Sequence, residues 1–233
     1  MSIGTPLGTR DQPGERVHHL SRITLRPGAE RDPDFVRLLP QLGPTGWHRQ
    51  IWQLFRAPQG TQRDFLFHVE DAERPRAMAL SARPPRTDDR WWQVDTRPFS
   101  PDLEVGDRLA FRLRANPTIK RDGKRHDVIM DAIQAARARG EPTPHRPTLI
   151  AELGPAWLAD RAEAHGFALI AALADRYEDH RARRTEGKTL TVSTLDFEGL
   201  LEVRDVERFQ AALRTGIGHA KGFGCGLMLV RRA

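Results

Sequence analysis

The chain has 233 residues, of which 37 are lysine or arginine and 31 are aspartate or glutamate, so its formal net charge is +6. A hydrophobic share of 39% provides for a packed core and excludes collagen-like and low-complexity proteins. The single cysteine, Cys225, excludes an internal disulfide and a zinc site built from cysteines. No apolar run approaches the roughly 18 residues of a membrane helix, and the N-terminus lacks the apolar core of a signal peptide. We therefore expect a cytoplasmic protein that has no membrane partner.

The first hundred residues show the pattern of a small α+β unit. Residues 1–17 are polar and rich in glycine and proline, which predicts a loose N-terminal tail. Helical spacing over residues 34–56 is interrupted at Gly43-Pro44, so two helices are expected there. Alternating apolar residues predict four strands, at Leu20–Leu25, Phe65–Glu70, Arg76–Ala82 and Trp91–Phe99. This is the order of a ferredoxin-like β-α-β-β-α-β unit with a weak second helix.

The same order of elements recurs in the second half. A strand at Asp107–Ala115 is followed by a basic insertion and by a helix predicted from Pro155 to about His165, with Gly166 as its C-cap. Phe167–Arg183 and Thr189–Val203 are rich in strand signals, although the first could instead continue as helix. Asp205 is expected to cap a helix that precedes a last strand at Gly226–Val230. We predict an α+β fold with two ferredoxin-like (RRM-like) domains, at residues 18–100 and 101–233.

Basic residues are concentrated in three segments. Arg112–His126 and Arg181–Lys188 each contain one acidic residue, and the chain from Arg214 to its end contains none. The last segment includes Gly216–Gly226, with five glycines in eleven positions, and so many glycines allow close approach of the backbone to an anion. Arginine binds phosphate through a rigid bidentate fork, so these segments favour RNA or DNA as the ligand. Solvated hairpin tips and ordinary helix caps are the alternatives.

Candidates for catalysis are few, because the sequence has no zinc-protease motif, no acidic metal cluster and no nucleophile elbow. Among nine histidines, His48 stands out, because it borders the apolar stripe of a predicted helix with Thr45 and Trp52 on the same side. A histidine can take or give a proton near neutral pH, and the 2′-hydroxyl of RNA can itself attack the adjacent phosphorus. His48 beside basic side chains would suffice for such a cleavage, but the residues alone do not favour it over His219.

Five segments, in this order and at this spacing, carry a family resemblance. They are WHRQIWQLF (Trp47–Phe55), RDFLFHVE (Arg63–Glu70), FRLRANPT (Phe111–Thr118), EGK…LDFEG (Glu186–Gly199) and GIGHAKGFGCGL (Gly216–Leu227). Through them the chain resembles the CasE-type CRISPR-associated endoribonucleases of type I-E systems, from residue 20 to the C-terminus. The resemblance implies tandem ferredoxin-like domains and cleavage of CRISPR precursor RNA at the base of its repeat hairpin, without metal or cofactor. The product would carry a 2′,3′-cyclic phosphate and would be retained with other Cascade subunits.

The resemblance also implies which residues act. The catalytic histidine of the family falls on His48, and the position of a frequent assisting tyrosine is occupied by Thr45. Tyr177, the only tyrosine, lies elsewhere, so Lys188 is a candidate to supply the missing charge. The residues predicted to bind RNA are Arg22, Arg49, Arg112, Arg114, Lys120, Arg121, Lys124, Arg125, Arg183, Arg184, Gly218, His219, Lys221, Gly222 and Gly224. A non-catalytic subunit that binds the RNA hairpin is the alternative, and a metabolic enzyme on the same scaffold is a third.

Overall fold

The computed structural model describes residues 17–55, 62–71, 75–121, 123–183 and 189–233. The predicted N-terminal tail lies outside the described residues, except for Val17. Lys188 and Arg184 also lie outside them, and the side chains of Thr45 and Arg183 are not described.

The N-terminal part forms one four-stranded antiparallel sheet with helices on one face. Its elements are β1 (His18–Leu25), α1 (Pro33–Leu38), α2 (Pro44–Leu54), β2 (Phe65–Asp71), β3 (Arg76–Ser81) and β4 (Trp92–Phe99). The strand order β2-β3-β1-β4 is that of a ferredoxin-like unit, and residues 82–91 join β3 to β4 without a helix. Phe35, Trp47 and Ile51 from the helices pack on Ile23 and Trp92 to form the core of this half.

The C-terminal part repeats this plan with an insertion. Its elements are β5 (Arg108–Ala115), β6 (Thr118–Arg121), β7 (Lys124–Asp127), α3 (Val128–Ala138), α4 (Arg146–Ala162), β8 (Phe167–Arg183), β9 (Thr189–Val203), α5 (Val206–Thr215) and β10 (Met228–Arg232). The sheet order β10-β5-β9-β8 is again ferredoxin-like, while β6 and β7 form a separate hairpin. The predicted tandem fold is confirmed.

The segment after β5 differs from the sequence prediction. Its basic insertion is ordered as the β6–β7 hairpin and α3, and α4 begins at Arg146 instead of Pro155. Pro155 lies inside α4, and Pro147 occupies the first turn instead. Proline is common in the first turn of a helix, where its missing N–H breaks no hydrogen bond, so Pro155 resembles a helix start in sequence. Gly154 allows close approach of α4 to the sheet, because a Cβ there would lie 2.6 Å from Cβ of Ala174.

The two halves meet where the glycine-rich loop, residues 216–226, crosses β2. Leu227 packs with Leu20, Leu66 and Leu80 of the N-terminal sheet, all of them buried. The loop is tied to its own sheet by the Gly226 N–H, which donates to the Arg114 carbonyl at 2.7 Å. Loop and β2 are therefore held in fixed relation. Within the described part of the chain, no helix is long and apolar enough to cross a membrane.

Gly166 gives a test of this packing. It has φ 76°, and a Cβ there would lie 2.5 Å from the Asp205 carbonyl oxygen, whereas Gly140 has φ 71° with open space around it. We expect Gly140→Ala to cost about 1 kcal/mol through backbone strain alone. Gly166→Ala should cost about 1–2 kcal/mol more, because the helix cap must also move. Urea unfolding of both variants measures the difference, and equal midpoints would contradict it.

Candidate active site

His48 lies in the second turn of α2 and is positioned by the helix's buried neighbours. Trp47 and Ile51 are buried in the core, which leaves His48 half-buried at the border of the helix face. Its ring centroid lies 5.7 Å from that of Trp52, 6.1 Å from that of Phe65 and 6.2 Å from that of Phe67. Its Nδ1 is buried and has no hydrogen-bond partner among the described residues.

This environment keeps the imidazole neutral. Burial lowers the pKa of His48 below its ordinary value of 6.5, and the charge of Arg63 lowers it further. The direction follows from physics, since both a dry medium and a nearby cation disfavour the imidazolium. At neutral pH His48 therefore has a free lone pair, and it can accept a proton.

Arg63 precedes β2 and is the second member of the site. Burial lowers the pKa of its guanidinium from the usual value, but the group stays charged at neutral pH. The adjacent carboxylate, Asp64, is bound instead by Arg83, whose Nε lies 2.6 Å from Asp64 Oδ2. No described acidic side chain forms a salt bridge with Arg63. A half-buried cation thus lies beside His48 with no counter-charge from the described residues.

The glycine-rich loop brings the third member. Its helical turn, Lys221–Phe223, packs on α2. A Cβ placed on Gly222 would lie 3.6 Å from Nη1 of Arg63 and 3.9 Å from both Cε1 and Nδ1 of His48. Lys221 donates from Nζ to the Thr215 carbonyl at the end of α5, and burial and Arg63 lower its pKa. His48 and Arg63 therefore face the side-chain position of Gly222, and Lys221 precedes that glycine in the same turn.

Four glycines of this loop have positive φ, namely Gly216, Gly218, Gly224 and Gly226, and two of these also lie against aromatic rings. Gly218 and Gly224 have φ of 79° and 80°, which disfavours any residue with a Cβ. A Cβ on Gly224 would also lie 3.1 Å from the Phe67 ring, and one on Gly218 would lie 3.2 Å from the Trp157 ring. These two glycines allow the loop to lie closely on both halves of the molecule, so their role is in the loop's shape.

The β6–β7 hairpin flanks the loop with further positive charge. Lys120, Lys124 and Arg125 are exposed. The pKa of His219 is lowered first by partial burial and then by the charge of Arg125, which therefore lies near it. Trp157 connects hairpin and loop, because its Nε1 donates to the Thr118 carbonyl at 3.0 Å and its ring contacts the Gly218 position. Two of the three basic segments found in the sequence therefore converge.

Other predicted RNA-binding residues are engaged within the protein. Arg114 forms a bidentate, largely buried ion pair with Asp196, with N···O distances of 2.6 and 2.7 Å. Because this guanidinium is occupied by Asp196, Arg114 stabilises the fold and is not available to bind RNA.

Three more of the predicted arginines have acidic partners, whereas Arg49 and Arg125 have no salt bridge to an acid among the described residues. Arg121 pairs with Asp131 at 2.8 Å, Arg22 with Asp95 at 3.3 Å and Arg112 with Glu198 at 3.8 Å. These pairs are more exposed, so a phosphate can compete for them. Arg49 is exposed next to His48, and it has no salt bridge to a described acid.

The lone tyrosine does not serve the site. The Tyr177 hydroxyl donates to Asp127 Oδ1 at 3.0 Å, and Asp127 in turn accepts from two N–H groups at the start of α3. Burial raises the pKa of Tyr177, so its phenol is a poor acid. No three His, Cys, Asp or Glu side chains among the described residues are arranged to hold a metal ion.

Sequence reasoning missed Arg63. The residue stands in the RDFLFHVE segment, but it is followed at once by an acid and resembles an ordinary surface ion pair. In the folded protein Asp64 forms its salt bridge with Arg83, so it does not pair with the neighbouring Arg63. A strand-adjacent arginine within a family segment was the one signal available.

Comparisons with known proteins bear on the family and the fold of the chain. The family model described as CRISPR associated protein matches residues 18–232. The chain is 32% identical to the CRISPR system Cascade subunit CasE of Escherichia coli over 185 residues, which cover 78% of this chain and 88% of that protein. It is 36% identical to the CRISPR-associated endoribonuclease Cse3 of Thermus thermophilus over 147 residues, 58% of this chain and 60% of that protein. A solved structure of Cse3 bound to 19 nt RNA superposes with a TM-score of 0.67 at 30% identity, over 92% of this chain and 99% of that one.

The effect of Arg63 on His48 is measurable in the free protein. We expect the His48 imidazole to titrate below 6.5 in NMR spectra, and Arg63→Gln to raise its pKa because one repelling charge is removed. Arg49→Gln, which removes the exposed charge next in sequence, is the matched control and should change it less. A wild-type midpoint above 6.5, or equal shifts in the two variants, would contradict the assigned cause.

Proposed function

Because the chain belongs to the family of CRISPR-associated proteins, we propose that it is an endoribonuclease that cleaves CRISPR precursor RNA. The cut lies at the base of the repeat hairpin, and the enzyme keeps the crRNA as a subunit of Cascade. The relatives are named as a Cascade subunit and as an endoribonuclease, which supports both parts. One observation carries the proposal, namely that His48 and Arg63 meet at the side-chain position of Gly222, in the helical turn that also carries Lys221. We place the activity in the cytoplasm, where precursor RNA is transcribed.

The cleavage step requires only groups of this chain and of the RNA. Neutral His48 takes the proton of a 2′-hydroxyl, and the resulting oxyanion attacks the adjacent phosphorus. The bond from phosphorus to the 5′-oxygen breaks, and the products are a 2′,3′-cyclic phosphate and a 5′-hydroxyl. The departing oxygen takes up a proton, for which Lys188 or Lys221 is the available ammonium. Thr45 stands three residues before His48, and its hydroxyl is able to donate a hydrogen bond to the phosphate.

Binding of the hairpin is assigned to the basic surface around the loop. Exposed Lys120, Lys124 and Arg125, together with Arg49 and His219, are suited to follow a phosphate backbone. Arg183, the last residue of β8, and Arg184, which follows it in sequence, belong to the set. The loop backbone at Gly218, Gly222 and Gly224 and the more weakly paired Arg22, Arg112 and Arg121 complete it. Recognition is by A-form shape, since the major groove of RNA is too narrow to be read easily.

We further propose that the chain divides into domains at residues 18–100 and 101–233. All strands of the first sheet precede Ser100, and all strands of the second sheet follow Asp107. The glycine-rich loop then belongs to the second domain and contributes to a site whose histidine belongs to the first.

A hairpin-binding subunit without catalysis is the second candidate. It is favoured by one observation, since the family's frequent tyrosine is Thr45 here and Tyr177 is committed to Asp127. Binding of the repeat hairpin would then occur without a cyclic-phosphate product.

The two candidates are separated by incubating the protein with hairpin RNA from its own repeat array in EDTA. We expect cleavage to a 2′,3′-cyclic phosphate, and we expect His48→Ala to slow it about 10²–10⁴-fold while binding persists. His145→Ala changes an exposed histidine at the start of α4 and should cleave at the wild-type rate. Tight binding without product would support the second candidate, and full activity of His48→Ala would refute the mechanism.

The hairpin β6–β7 should contribute affinity but no chemistry. We expect Lys124→Ala with Arg125→Ala to weaken RNA binding and to reduce the slope of log K against log salt by about 1 for each phosphate that the variant no longer binds. Arg31→Ala with Arg37→Ala makes the same charge change on exposed residues of the other half and should leave the slope unchanged. Cleavage by saturating enzyme should be equal in both. An unchanged slope in the first variant would place the RNA elsewhere.

A further inference from the structure

Arg63 is held in a position that is unfavourable in the free protein. A half-buried guanidinium has given up part of its hydration, and such a cost is normally balanced by a paired carboxylate. The nearest carboxylate in sequence, Asp64, is bound by Arg83, which also donates to the Phe55 carbonyl at 3.1 Å. The charge of Arg63 meanwhile opposes protonation of both His48 and Lys221. An anion between these groups would relieve all of these costs together.

The position of that anion is defined by Gly222. Nη1 of Arg63 and the His48 ring both lie within 3.9 Å of the point where a Cβ would stand. Gly222 does not have a positive φ, so its backbone does not require glycine. The missing side chain therefore leaves a space that faces a guanidinium on one side and an imidazole on the other. A phosphate oxygen near that point would contact both.

We propose that Arg63 is a catalytic residue whose guanidinium binds a non-bridging oxygen of the scissile phosphate over Gly222. This inference rests on the proposed endoribonuclease function and adds a role that His48 cannot fill. Attack by the 2′-oxygen places extra negative charge on the phosphorane oxygens, and a fixed guanidinium stabilises that charge most in the transition state. His48 moves the proton, and Arg63 holds the charge.

The first test is cleavage of repeat-hairpin RNA under single-turnover conditions with saturating enzyme, over a pH range that reaches the plateau of the rate. We expect Arg63→Gln to lower the plateau rate constant about 10²–10³-fold. Arg63→Lys should recover part of that rate, because it keeps the charge without the fork. Arg37→Gln, an exposed residue of α1, should cleave as the wild type does. If Arg63→Gln only moves the acidic limb of the profile and reaches the wild-type plateau, Arg63 acts through His48 and the inference is overturned.

The second test does not depend on cleavage. The RNA carries a 2′-deoxy nucleotide at the cut site, which prevents reaction, and either a normal or a neutral methylphosphonate linkage at that one phosphate. We expect the neutral linkage to weaken binding to wild type and to Arg37→Gln. It should weaken binding to Arg63→Gln far less, because that variant has no guanidinium to bind the phosphate charge. Equal effects in all three proteins would show that Arg63 does not touch this phosphate. Failure of wild type to cleave normal RNA would overturn the proposed function, and this binding cycle would still decide whether Arg63 binds the phosphate.

A folding defect is separated from weaker phosphate binding by thermal melting of each variant. Arg63→Gln should melt at or above the wild-type temperature, because it removes a cation without a described counter-charge. If Arg63→Gln melts at a lower temperature than wild type, Arg63→Lys is used in its place. The plateau rate of Arg63→Lys must then still fall below that of Arg37→Gln. A folded Arg63→Lys variant with the full wild-type rate, together with equal effects in the binding cycle, would overturn the inference.

Discussion

The site depends on the close seating of the glycine-rich loop against β2. This strand is an edge of its sheet, and its successive residues Leu66 and Phe67 point to opposite faces. A Cβ on Gly216 would lie 2.9 Å from Leu66, and one on Gly224 would lie 3.1 Å from Phe67, so the loop folds over the strand edge. Side chains at these positions would lift the loop, and the turn that carries Lys221 would then no longer pack on α2. The two halves therefore build one site only because the loop lacks side chains at Gly216 and Gly224.

The junction of the two halves is also dry, which gives its few charges a strong effect. Burial lowers the pKa of His68, on β2, to about 4 and raises that of Cys225, in the loop, to about 12. In such a medium Arg63 opposes protonation of His48 before RNA binds. A phosphate in the space over Gly222 reverses the local potential, because its negative charge favours the imidazolium that forms when the 2′-hydroxyl proton is taken. The RNA that supplies the attacking 2′-oxygen thus also makes His48 a stronger base.

Local pattern predicts most strands and helices here, because each half buries one face of a short sheet. Residues 116–154 escaped prediction, since β6 and β7 have four residues each and are mostly polar, and Pro155 has the appearance of a helix start. The site is harder to predict from sequence, because its residues are far apart in the chain and come together only in the folded protein. Arg114 appears in sequence as a surface arginine, yet its partner Asp196 is 82 residues away. His48 and His219 are equivalent in sequence, and the tertiary fold places His48 beside Arg63 and His219 beside Arg125.

The absence of a site tyrosine fits a mechanism based on charge. A phenol assists phosphate cleavage by donating a hydrogen bond or a proton, and the only tyrosine is held by Asp127 with its pKa raised. The hydroxyl of Thr45 is a far weaker acid, so it cannot supply the proton that a phenol would. Arg63 offers positive charge instead, which stabilises a phosphorane without giving up a proton. A site of this kind needs its cations close together and partly desolvated, and close packing of the glycine-rich loop provides both conditions.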